Sequence, residues 1–215
     1  MNEEKWLVSE WPRTMLSIAA QNRPPWTIRK VRLFVCACCR RAWDLMSDKR
    51  SKQAIEVSEM FADRPTDLKS LQKAHDRARA AETTLHQRNV SNAHRLAAQA
   101  ATAAAVETLQ YWSASSASRT AAEARGQIAL WEEELVAQAN LLRDIFGNPF
   151  RPLPPRPEAG APLAEKIYAG DWALIPYLGE WLQEHGFWSE GEHCLDPNIQ
   201  HVKGCWVVDW VTGRE

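Results

Sequence analysis

The stretch VRLFVCACCRRAW, Val31 to Trp43, places three of the chain's five cysteines within four positions. Val31, Phe34, Val35, Cys38, Ala42, Leu45 and Met46 recur at spacings of three and four, which predicts an amphipathic helix from a Thr27 cap to about Met46. Cys38 falls on that apolar stripe as a small core residue. Cys36, Cys39 and Trp43 share an adjoining face, one and two turns apart. Helical phase therefore separates one packing cysteine from one candidate pair, and Trp43 is expected to be buried where this helix meets the C-terminal segment.

Helical signals continue on both sides. A first helix is expected from Asn2 or Glu3 to Ala20, interrupted near Pro12, with a break at Pro24 and Pro25. Ser47 or Asp48 restarts a helix that ends before Pro65. From Thr66, an N-cap candidate followed by Asp67, a strongly helical region runs to Phe146, with Gly147 and Pro149 as its stop. Its Ala-rich middle favours helix and allows close helix approach. Breaks near Asn89–Asn92 and near SASSAS, Ser113–Ser118, predict three antiparallel helices there. Glu132, Glu133 and Glu134 read as a solvated face.

NPFRPLPPRPEAGAP, Asn148 to Pro162, reads as an extended, semi-rigid arm that packs on the helices through Phe150 and Leu153. Beyond it come two short helices ending at Gly186, then a turn flanked by Cys194 and His201. The final apolar run, CWVVDWV, is a buried strand or a short helix, with helix the favoured reading and Gly213 its stop. The expected fold is all-α: a helical core over residues 1–147, a Pro-rich arm over 148–162, and a small helical module over 163–215 that packs back on the core.

Lys+Arg of 26 against Asp+Glu of 27 gives a net charge of −1, which removes the simplest electrostatic case for nucleic acid. Arg29, Lys30, Arg32, Arg40 and Arg41 would serve a DNA-binding reading only by sharing one exposed face. The start shows no basic region leading into an apolar one, and no apolar run approaches the roughly 18 residues of a membrane span, so a cytoplasmic protein without a membrane partner is expected. The eleven tryptophans are expected mainly as packing anchors, with exposure favoured at Trp188 and Trp210.

In a reducing compartment, clustered thiols point to metal ligands, catalytic groups or core residues before disulfides. Cys36-x-x-Cys39 offers one ligand pair and His201-x-x-x-Cys205 another, with Cys194 and His193 in the same loop. The expected metal set is Cys36, Cys39, Cys194, His201 and Cys205, a structural zinc clamping the second helix to the C-terminal segment. Buried thiols with a satisfied histidine, and a redox or catalytic pair, remain open beside it. A nucleophilic arrangement would use Cys39 or Cys205 with His201 and Asp209, yet no oxyanion turn, phosphate loop or hydrolase motif supports it, and no catalytic residue is assigned.

The segments KVRLFVCACCRRAWDLMSDKRSKQAIEVSEMFAD, LLRDIFGNPFRP and HVKGCWVVDWVTGRE resemble an uncharacterised planctomycete-type paralogous family, which carries stretches similar to LRLFACACCRR-W, LLRDIFGNPFRP and HC…HVRGCWVVDLLLGK. The resemblance covers both ends of the chain and the junction after the long helices. It implies a shared domain in which the cysteine helix and the HC…H…GCW tail belong together, and it implies no activity or cofactor. The function expected from the sequence is a protein-interaction module, a scaffold, adaptor or regulatory subunit with a protein partner. An enzyme using a Cys/His site is the alternative, and a DNA-binding helical protein the third reading.

Overall fold

The structure is a computed structural model that describes residues 2–21, 27–88, 90–127 and 131–214. Among the described residues it holds twelve α-helices and no strand: α1 (Glu3–Val8), α2 (Pro12–Gln21), α3 (Ile28–Arg41), α4 (Lys49–Asp63), α5 (Leu68–Gln87), α6 (Asn92–Ala104), α7 (Tyr111–Gly126), α8 (Trp131–Phe146), α9 (Ala161–Tyr168), α10 (Ile175–Glu184), α11 (Trp188–Leu195) and α12 (Trp206–Thr212). The all-α expectation holds. No described helix is long and apolar enough to cross a membrane.

Helix α3 is the centre of the bundle, packed against α4, α6, α7 and α8. Ten of its fourteen residues are buried, from Lys30 through Cys39. Thr27 caps it by accepting the Lys30 amide at 3.2 Å. A helix surrounded on all sides needs small side chains where neighbours come close, and Cys36, Ala37, Cys38 and Cys39 supply them. The neighbours do the same, with Ala97, Ala100, Ala101 and Ala104 of α6 and Ala114, Ala117, Ala121 and Ala124 of α7 in the same core.

Several boundaries differ from the sequence reading. Asp67, not Thr66, caps α5, accepting the Ser70 amide. The SASSAS segment breaks nothing. It lies within α7, where Ser113 Oγ accepts the Gln110 amide at 2.9 Å and the hydroxyl of Ser118 returns to the Ser115 carbonyl at 3.2 Å, so these serines serve their own helix. The break falls earlier, between Ala104 and Tyr111, and the region from Leu68 to Phe146 forms four helices in place of three. The expected break at Pro24 and Pro25 lies outside the described residues, as does Trp26.

Arg32 explains the true position of that break. Its side chain, 1% exposed, donates to the carbonyls of Ala104 (3.2 Å), Val106 (3.0 Å) and Glu107 (2.7 Å) and to Ser58 Oγ (3.2 Å). The last carbonyls of a helix lack intrahelical partners, and the buried guanidinium takes one of them, at Ala104, together with two carbonyls of the turn that follows, which holds the end of α6 inside the protein. Arg143 repeats the device, donating to the carbonyls of Trp6 and Ser9 at the end of α1.

A second core lies in the C-terminal segment, where Ala164, Ile167, Leu178, Leu182, Cys194, Val207, Val208 and Val211 join α9 to α12. The final apolar run is helical, and Gly213 stops it at φ +73. Between the two cores the proline arm is held at its start and near its middle. Asn148 donates to Glu3, the Trp6 indole donates to the Gly147 carbonyl at 3.0 Å, and the Trp210 indole donates to the Pro154 carbonyl at 3.0 Å. Phe150 packs on the first core, whereas Leu153 is half exposed. Of the tryptophans favoured for exposure, Trp188 is exposed and Trp210 is buried, because the arm covers it. Trp43 is half-buried beneath Arg40 and Lys52 and packs against the first core.

Arg32→Met should cost about 2–3 kcal/mol, because the Val106 and Glu107 carbonyls lose their donor while Ser58 still serves Ala104. Urea unfolding checks this. A lowered midpoint with an unchanged slope is expected, and an unchanged midpoint would remove Arg32 from its capping role.

Candidate metal centre

One of the buried carboxylates at which the C-terminal module meets the core is Asp144. Asp144 sits on α8, on a stripe shared with Gln138, Leu141, Leu142 and Ile145 that faces inward. Its side chain is inaccessible to solvent. Burial pushes the carboxyl up, but hydrogen bonds from His193 and His201 outweigh that and hold it below the usual carboxylate range.

Three further ligand-bearing side chains converge on it. His193 projects from α11, His201 from the turn after it, and Cys205 from the residue that opens α12. Asp144 Oδ1 lies 3.1 Å from His193 Nε2 and 2.8 Å from His201 Nδ1. Cys205 Sγ lies 3.6 Å from His193 Nε2 and 3.7 Å from His201 Nδ1. The four ligand atoms all fall within 4.8 Å of one another. The Val202 amide donates to the other carboxylate oxygen, Oδ2, at 2.9 Å, which leaves Oδ1 directed at the group.

Local sequence builds the loop that supplies two of these side chains. The Cys205 amide donates to the Val202 carbonyl at 2.9 Å, and Gly204 takes φ +96, a conformation that side chains rarely adopt. Gly204 also lies against Leu33 of α3, where a Cβ would come within 2.8 Å of the leucine side chain. The turn thereby aims His201 and Cys205 the same way and presses the module on α3. Burial, then the Asp144 charge, push the Cys205 thiol well up, while the amides of Val207 and Val208 on its sulfur favour the thiolate. A buried thiol in this field stays protonated until a cation takes the place of the proton.

The structure brings together only part of the set expected from sequence. His201 and Cys205 are in the cluster, joined by His193, which lay in the same loop, and by Asp144, which was not foreseen. Cys36 and Cys39 are elsewhere. They lie in the first core against α4, with Cys36 Sγ directed at the Ile55 carbonyl, and burial pushes the Cys36 thiol to about 12. The face of α3 that meets the C-terminal turn carries Leu33 and Ala37, which line a cleft with His201 and Val202. At about 100° per residue, Cys36 and Cys39 are rotated off that face. Cys194 is buried in the second core beside the cluster but contributes no ligand atom to it. Asp209, a candidate orienting carboxylate, is bound by Arg29 instead. Glu134 is buried and paired with Arg41 at 2.9 Å, so the glutamate run is only partly a wet face.

The sequence did contain a signal for Asp144. An aspartate within LLRDIF occupies the apolar phase of its own helix, and a carboxylate there requires partners. Comparison with protein-family models, curated proteins and solved structures finds no match for this chain.

Asp144→Asn should destabilise the protein by about 2–4 kcal/mol, since two charge-assisted hydrogen bonds are lost at a buried site. Because the folded-state carboxyl is depressed, its contribution is present above its ordinary pKa of about 4 and disappears as pH falls through the folded value. The variant should therefore lose less stability than the parent between neutral and acid pH. Parallel acid-unfolding curves would refute this role for Asp144.

Proposed function

We propose that the protein is a helical interaction module, a scaffold, adaptor or regulatory subunit, whose C-terminal module is fixed to its core by a structural zinc held by Asp144, His193, His201 and Cys205. The observation that carries the metal reading is the shape of the ligand group. A tetrahedral zinc with bonds of about 2.3 Å to sulfur and about 2.0–2.1 Å to nitrogen and oxygen has N···S edges near 3.6 Å and N···O edges near 3.3 Å. The N···S separations of 3.6 and 3.7 Å match it, and the N···O separations of 3.1 and 2.8 Å need open by only about 0.2–0.5 Å to do so. Two imidazoles, one thiol and one carboxylate are also the ligand types that zinc selects.

Four protein ligands fill a tetrahedron and leave no position for a substrate, which supports a structural role over a catalytic one. A nucleophilic reading of Cys205 is disfavoured by its complete burial. The cations considered for DNA are committed internally: Arg29 to Asp63 and Asp209, Arg32 to α6, Arg40 to Glu59 and Arg41 to Glu134, with Lys30 buried. The interaction reading draws support from Trp11, Trp112 and Trp188, each about two-thirds exposed.

Elemental analysis of the purified chain is expected to give one zinc per molecule, with a melting temperature that falls on chelation. Cys205→Ser and His193→Ala should lose the metal, whereas Cys36→Ser and Cys39→Ser should keep it. Metal-free parent protein, or zinc retained by Cys205→Ser, would defeat the centre. A pull-down from the native host comparing zinc-loaded parent with Cys205→Ser tests the interaction reading, which requires a partner held by the former alone.

A further inference from the structure

Lys30, in the first turn of α3, is 6% exposed and lines a cleft of about 400 Å³ together with Leu153, Pro154, Arg156, Trp206 and Trp210. Among the described residues its ammonium has no hydrogen-bond acceptor and no carboxylate within salt-bridge distance. Asp209 also lines the cleft, but both its oxygens are occupied by Arg29, Oδ2 at 2.5 Å from Nη1 and Oδ1 at 3.0 Å from Nη2. The lysine stem is buried while its amine, which is not sealed from solvent, meets the cleft with no protein partner among the described residues, an arrangement that suits a ligand's anion. Burial lowers the Lys30 pKa, and the field of Asp209 only partly opposes this.

The surroundings define what would complete the site. Arg156 stands at the rim, its side chain 42% exposed, with Glu158 no nearer than 3.6 Å. Its guanidinium lies against Gly213, where any Cβ would collide with it, so the αL glycine that ends α12 also leaves room for the arginine. The indoles of Trp206 and Trp210, with Leu153 and Pro154, give the cleft an apolar wall, and its other charged groups are paired, Asp209 with Arg29 and Arg214 with Glu165. The volume falls at the small end of the range for small-molecule sites, about 300–1,000 Å³. One cation at depth and one at the rim, set in apolar walls, suit a single negative charge on an apolar body. A strongly hydrated polyanion would lose more on entering than these two cations return.

We propose that this cleft binds a small apolar carboxylate, such as a medium-chain acyl or aryl acid, with its carboxylate on Lys30 and Arg156 and its hydrocarbon against Trp206 and Trp210. The site uses none of the four metal-binding side chains, although its wall residue Trp206 follows Cys205 and lies 5.3 Å from the His193 ring. Occupancy would bridge α3, the proline arm and α12, so the ligand would tighten the junction between the core and the C-terminal module.

Isothermal titration of the full chain with sodium octanoate tests this, with octylammonium as a probe of equal chain length and opposite charge, and inorganic phosphate as a probe of charge alone. Octanoate is expected to bind with Kd of about 1 mM or tighter, and octylammonium and phosphate at least about tenfold more weakly. Lys30→Met, which replaces the amine by an apolar side chain of similar length, should weaken octanoate at least about tenfold without lowering the melting temperature. Arg156→Gln, at the rim, gives a second readout and should weaken it several-fold. The proposal is overturned if octanoate does not bind, if either control binds equally well, or if both variants keep the parent's affinity. Should Lys30→Met fail to fold, the Arg156→Gln result decides.

Discussion

A carboxylate inaccessible to water must be given partners, and the placement of the C-terminal module follows from how Asp144 obtains them. Among the described residues, no arginine or lysine forms an ion pair with it. Its partners are two imidazoles and a backbone amide, all from the segment spanning α11 to α12. Satisfying one oxygen pair therefore fixes the approach of two pieces of backbone to α8, one at His193 and one at His201 and Val202. A hydrophobic contact of similar area would tolerate sliding, whereas a group with directional acceptors admits one register.

Arginine carries the same logic through the rest of the molecule. Arg29 joins the start of α3 to Asp63 at the end of α4, to Asp209 in α12 and to the hydroxyl of Tyr168 in α9. Arg32 holds the end of α6 and Arg143 that of α1, each by collecting carbonyls of the last turn and of the residues just beyond it. Five donors in a fixed fork make a guanidinium suited to such joints. The near-zero net charge is consistent with cations spent inside the fold, and the basic residues of α3 form no surface stripe because they are its fastenings.

The chemistry of the protein gathers at the seam between the two cores. The ligand group lies on its α8 side, and the Lys30 cleft opens where α3, the arm and α12 meet. The arm links these regions, since Asn148 at its start reaches α1 and Pro154 receives the Trp210 indole. A seam built from polar joints provides directional side chains that the alanine-rich interior of α6 and α7 lacks, and the seam is where both candidate sites occur.

Much of this was legible in the sequence, for reasons that are local. Gly147, Gly186 and Gly213 mark helix ends because a positive φ is intrinsic to glycine, and the observed values of +63, +86 and +73 agree with that reading. The helical nature of the Ala-rich region, the proline arm and the His201-x-x-x-Cys205 pair are likewise properties of short stretches. The tertiary structure alone decided what depends on neighbours. Cys36 and Cys39 have ligand spacing, but which face of α3 meets the C-terminal turn is set by Leu33 against Gly204, a contact between residues far apart in the chain. The end of α6 is set by Arg32 from another helix, so the serines of α7 gave a false break. The helical phase of Asp144 implies that it needs partners, but only the fold decided that these are two histidines, with a thiol beside them. Conformational preferences are written residue by residue, whereas coordination and capping are completed by groups that only packing brings within a few ångströms.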